Sequence, residues 1–155
     1  MNNFVGAQIV YENLINGFPA HEMRYIAELS RADCMLALAG NDSDGLADAV
    51  IILERLLDLP NLPLDFQAEA AQKWAFALIK SGSSEKAKEV LWLSIDRFIG
   101  DGEKAAALGA AGRYWLARSM LQLGEIFEKQ DNLAEARKVY RLSLIHISEP
   151  TRPIR

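Results

Sequence analysis

Cysteine is almost absent from this sequence: Cys34 is the only one, so no disulfide can close within the chain. Histidine is nearly as scarce. Outside the last fourteen residues His21 stands alone, with no second His or Cys at ligand spacing, so no metal site is read and no cofactor is expected. A basic excess is also missing, because 17 Lys and Arg face 21 Asp and Glu. Without clustered cations to meet phosphates, nucleic acid is excluded as a partner. No run approaches the ~20 apolar residues of a membrane-spanning helix, so direct membrane insertion is not expected. No basic segment leads into an apolar core at the start, and no signal peptide is read there. Strand signals are lacking too, since no alternating run of β-branched and polar residues is bounded by turns. Nor is there a nucleophile elbow, a Gly-rich phosphate loop or a paired carboxylate motif, so the chain reads as a non-enzyme.

What the sequence does contain is helical periodicity along nearly its whole length. Segments at about 4–18, 21–39, 46–57, 67–80, 85–98, 113–129 and from Asn132 onward each repeat apolar residues at helical spacing. In the first, Ala7, Ile9, Val10, Leu14 and Ile15 share a broad face; in the second, Met23, Ile26, Ala27, Cys34, Leu36 and Leu38 are core candidates. Asn41–Gly45 breaks the pattern, and Ser43 or Asp44 is placed to cap the following helix. Leu46–Leu57 is apolar on most sides and must be covered from more than one direction. Gly100–Gly112, rich in Gly and Ala, reads as a partly helical connection in which Gly109 and Gly112 mark close packing or a loop. Asn132, with Glu135 three residues on, has capping-box spacing. Trp74, Trp92 and Trp115 fall at core positions, Cys34 reads as a small buried hydrophobe, and His21 reads as a capping or surface residue.

Paired helices share a theme, an alanine followed four residues later by a large residue: Ala7 with Tyr11, Ala49 with Leu53, Ala87 with Leu91 and Ala136 with Tyr140. Met120, Leu123, Gly124 and Phe127 precede the last of these in the order of the tetratricopeptide (TPR) signature, and the chain resembles that family. The resemblance covers most of residues 1–141. Leu36–Ala37 and Trp74–Ala75 stand where Leu-Gly is usual. The four alanines lie 42, 38 and 49 residues apart, against about 34 in a regular array, so insertions at Asn61–Phe66 and Gly100–Gly112 are expected. The resemblance implies an all-α solenoid of antiparallel helix pairs, about seven helices, cut at both ends: a half repeat at 1–19, then pairs at 21–59, 67–99 and 113–141.

From Leu142 the character of the chain changes. Leu142–Arg152 resembles the in-frame translation of a transposon-based sequencing adaptor, residue for residue, so residues 142–155 read as a non-native tail. His146, Ser148 and Glu149 therefore carry no catalytic weight. Without the tail, 15 Lys and Arg face 20 Asp and Glu. Tyr140 is expected to await a helix beyond the cut, leaving apolar surface at the repeat ends through which copies self-associate.

In TPR proteins the first helix of each pair lines a concave groove. The resemblance thus implies a groove containing Arg31, Glu69, Gln72, Phe76, Lys80, Arg118, Leu121, Glu125 and Lys129, a mixture suited to a peptide or helix of another protein. The expected function is that of a protein–protein scaffold within a longer bacterial protein. The alternatives are an accessory repeat region of a larger enzyme or signalling protein, and an envelope lipoprotein of outer-membrane assembly. The compartment stays open between cytoplasm and periplasm.

Overall fold

The computed structural model describes residues 3–40 and 42–148. Among these residues there are eight helices and no strand: α1 (Phe4–Gly17), α2 (Arg24–Ala39), α3 (Ser43–Leu57), α4 (Leu64–Lys80), α5 (Ser84–Ile99), α6 (Gly102–Ala107), α7 (Ala110–Lys129) and α8 (Leu133–Ser148). The extra helix relative to the seven expected is α6, a single short element inside the Gly- and Ala-rich connection, where Asp101 accepts from the backbone N–H groups of Glu103 and Lys104 and starts a turn. None of the described helices is long and apolar enough to cross a membrane.

Local chemistry sets the helix ends. Asn3 caps α1 through Gly6, and Asn132 accepts from the backbone N–H of Glu135 at the start of α8. The cap of α3 is Asp42, whose carboxylate accepts from Gly45, and not Ser43 or Asp44; the helix begins one turn earlier than its apolar pattern. Asn41, within the same break, lies outside the described residues, as do residues 149–155 of the tail. Helix α8 does not stop at Tyr140. Leu142 packs on the core and Ser143 is buried with its hydroxyl on the carbonyl of Tyr140, so the helix continues to Ser148.

Most helices pack on their neighbours in the chain: α1 on α2, α2 on α3, α3 on α4, α4 on α5, α5 on α6, and α7 on α8, with α7 also laid against α4 and α5. Two buried clusters result. One joins Leu29, Leu36, Leu46, Leu53 and Leu56 of α2 and α3 to Ala70 and Ala77 of α4. The other joins Ala75, Leu91, Ile95, Phe98, Met120 and Leu123 with Val139 of α8. Val50, Leu57 and Trp74 touch both and form the seam. The alanine theme falls inside these clusters: Ala49 with Leu53 and Ala87 with Leu91 are fully buried, and Ala136 is buried beside a half-buried Tyr140. Ala7 and Tyr11 are only half-buried, because among the described residues α1 packs on α2 and contributes no fully buried residue. Ile9, Val10, Leu14, Met23, Ile26 and Leu38, expected in the core, are exposed for the same reason of sparse cover at this end.

Two close approaches depend on glycine. A Cβ on Gly124 would stand 2.5 Å from Cζ of Tyr140, well inside van der Waals contact. Tyr140 therefore closes down on α7 within its own pair instead of waiting for a later helix. At the start of α7, Asp65 of α4 accepts from the backbone N–H of Gly109 at 2.8 Å and lies where a Cβ of Gly112 would have to sit. Gly109 has no capping side chain of its own, so a carboxylate from another helix supplies the cap and meets the positive end of the helix dipole. Close packing of Gly109 and Gly112 is thus realised around Asp65.

Candidate functional site

The face shared by α2, α4 and α7 is organised by Lys73. Its side chain is only 8% exposed, and its ammonium contacts Asp33 of α2 at 2.6 Å and Glu69 of α4 at 2.5 Å. It also lies 5.1 Å from the ring centroid of Trp115 on α7. A buried ammonium is costly unless paired, and two carboxylates with an aromatic face provide the pairing. One side chain thereby ties three helices together. A second tie lies one residue earlier, where the amide of Gln72 donates to Gln122 of α7 at 3.1 Å. Farther along α4, Lys80 donates to the carbonyl of Gly40, at the C-terminal end of α2 where cations are favoured.

The groove residues inferred from the sequence divide accordingly. Gln72 is buried and Glu69 is bound to Lys73, so both hold the face together. Phe76, Arg118, Leu121, Glu125 and Lys129 are exposed on α4 and α7. Lys80 is exposed as well, with its ammonium 5.2 Å from the ring centroid of Phe76. Arg31 stands apart. Its guanidinium reaches Glu12 of α1 at 3.2 Å, on the other side of α2.

Four residues complete the face without having been selected from sequence: Asp33, Lys73, Tyr114 and Trp115. Lys73 carried one readable signal, its position four residues after Glu69. Tyr114 carried another, since Tyr114, Arg118, Leu121 and Glu125 follow one another at i, i+4, i+7 and i+11 on a single stripe of α7. Arg118 lies over the ring of Tyr114, with centroid distance 5.9 Å. Two exposed cation–aromatic pairs, Phe76 with Lys80 and Tyr114 with Arg118, are therefore carried by adjacent helices.

Elsewhere, Trp92 is 47% exposed and not a core residue, whereas Trp74 and Trp115 are half-buried. His21 is exposed and accepts from the backbone N–H of Met23 in the turn before α2. Cys34 is buried, and burial first, then the charge of Asp33, push its thiol above the ordinary range. Tyr140 is likewise raised, by burial first and then by Glu128 and Glu125. Glu28, fully buried, is held between Arg24 at 2.7 Å and Arg55 of α3 at 3.6 Å and fixes α2 against α3. Among the described residues, no three His, Cys, Asp or Glu side chains are grouped to hold a metal ion.

These features define an all-helical protein whose helices pack in chain order and whose most organised surface is a face of charge and aromatics. Protein-family models, curated proteins and solved structures gave no match to this chain.

Proposed function

We propose that this chain is a TPR-like protein–protein scaffold, in which helix pairs α2–α3, α4–α5 and α7–α8 stack as a solenoid and the α2–α4–α7 face receives a peptide or helix of a partner protein. The observation that carries this reading is the pairing of a rigid base with an adaptable rim. Lys73 and Gln72 lock the three helices from beneath, while Phe76, Tyr114 and Leu121 remain exposed beside Arg118 and Lys80. A surface already fixed in place loses little conformational freedom on binding, which favours association without chemistry. Aromatic and arginine side chains are the usual anchors of such surfaces. Buried alanines each followed four residues later by a large residue, and the Gly124–Tyr140 contact, support the TPR likeness.

The test is partner capture by the intact chain, followed by the Phe76→Ala/Arg118→Ala variant. Loss of the captured protein with unchanged helix content is expected. Retention of the same partner at the same yield would refute the groove.

A further inference from the structure

On the side of α4 away from Lys73 there is a second surface, a cleft of about 440 Å³ between α3 and α5. Helices α3 and α5 do not pack closely on one another, so α4 is left open between them. Ala71 and Trp74 form the floor, Leu57 stands on the α3 side, and Val90, Leu93 and Phe98 stand on the α5 side. Its opposition to the first face follows from helical spacing. Glu69, Lys73, Phe76 and Lys80 mark one stripe of α4, and Gln67, Ala71, Trp74 and Leu78 the other.

The charges along this cleft are incompletely matched. Lys86 and Arg97 line it from α5, and among the described residues neither meets a carboxylate. Lys86 lies over the ring of Trp74 at 5.5 Å, and Arg97 donates to the amide oxygen of Gln67 at 2.9 Å. The two cations stand eleven residues apart, three turns of α5 or about 16 Å along its axis. Apolar Val90 and Leu93 lie between them. Glu89 adds one unpaired negative charge in the same stripe, so the cleft has cationic ends and a mixed centre.

The geometry points to this cleft as a docking site for an amphipathic helix of a partner protein, one whose apolar stripe is bracketed by carboxylates about three turns apart. The bracketing acids meet Lys86 and Arg97, and the apolar residues between them cover Leu93 and the edge of Trp74. A helix laid beside α5 has the same rise per residue, so a single spacing serves both contacts. A macromolecule is favoured over a small amphiphile by the rim. Leu93, on the α5 side of the cleft, is 70% exposed. A molecule that sinks into the cleft leaves this apolar surface in water, whereas a helix of about 10 Å diameter lies across it. This inference concerns a different face from the proposed groove and stands independently of it.

The test uses the full chain and two fluorescent probe peptides. Both are helical with a leucine stripe; one has Glu eleven residues apart flanking the stripe, and the other has Lys at those positions. Fluorescence anisotropy is expected to show binding of the Glu peptide and at least a tenfold weaker response to the Lys peptide. Lys86→Glu/Arg97→Glu should invert that preference, since rim charges act on selectivity. Leu93→Asp, at a position too exposed to threaten folding, should weaken the Glu peptide about tenfold, and Phe76→Ala/Arg118→Ala should leave it unchanged. Equal binding of the two peptides, no binding of either, dependence on Phe76 and Arg118, or displacement of the Glu peptide by a fatty acid would each overturn the proposal.

Discussion

Replacing Gly124 by alanine separates two effects of opposite sign. Within a helix, alanine is favoured over glycine by about 1 kcal/mol, so an unobstructed site would gain stability. Here the new Cβ would lie 2.5 Å from Cζ and 2.8 Å from Cδ1 of Tyr140, whereas carbon atoms ordinarily rest at about 3.5–4.0 Å. The ring must retreat by roughly 1 Å, and Val139 and Ala136 beside it are buried, so the retreat loosens the α7–α8 contact. Overpacking of this kind costs about 2–3 kcal/mol. The net loss is therefore about 1–2 kcal/mol, which corresponds to about 3–6 °C in melting temperature for a chain of this size. Urea titrations followed by far-UV circular dichroism measure it. The decisive comparison is the same substitution in a Tyr140→Ala background. With the ring gone, Gly124→Ala should stabilise by about 1 kcal/mol, a reversal of sign that amounts to a coupling of about 2–3 kcal/mol. An equal gain in both backgrounds would show that Tyr140 does not rest on Gly124.

Three further outcomes follow from the contacts described. Asp65→Ala should lower stability by about 1–2 kcal/mol in a thermal melt, because α7 loses the cap it borrows from α4; no change would mean water replaces the carboxylate without loss. Lys73→Met should cost about 2–3 kcal/mol in urea, less than a fully buried pair because Asp33 is half exposed and regains water. Adding Glu69→Gln should recover part of that loss, and a deeper loss would contradict the pairing. Cys34 gives a pH effect: its folded thiol is raised, so the unfolded chain ionises first, at about pH 8.5. Stability is then full below that value and declines as pH rises through the folded pKa. Urea midpoints between about pH 8 and 9.5 should fall more steeply in the parent than in Cys34→Ala, and parallel profiles would refute it.

Much of the fold was legible because a helix writes its buried face into the sequence every three or four residues. Ala49, Leu53, Ala87 and Leu91 were found that way, and so were Leu123 and Ala136. Periodicity says which side of a helix is apolar, but not whether anything covers it. Ile9, Val10 and Leu14 have the spacing of core residues and stand exposed, because only α2 lies against α1. Trp92 failed for a related reason: it lies on the outer side of α5, which nothing in the described chain covers. The cap of α7 was not legible at all, since Asp65 lies 44 residues before Gly109. On the α2–α4–α7 face, exposure was legible and the tie beneath it was not. Residues placed by stripe, such as Phe76, Arg118 and Leu121, are exposed, whereas the tie through Lys73 depends on three helices meeting and no single segment encodes it.

Packing in chain order has a kinetic consequence. Nearly every helix meets only the next one or two in sequence, and the longest reach, from α4 to α7, spans only the α5–α6 segment. Contacts so local require little loop closure before they reward it, which places folding in the microsecond-to-millisecond range. Assembly can begin at α4, which touches four other helices, and spread outward in both directions. Under tension applied at the chain ends the order reverses: α1, which buries no residue fully, peels away first, and the molecule lengthens by successive releases while its centre stays folded.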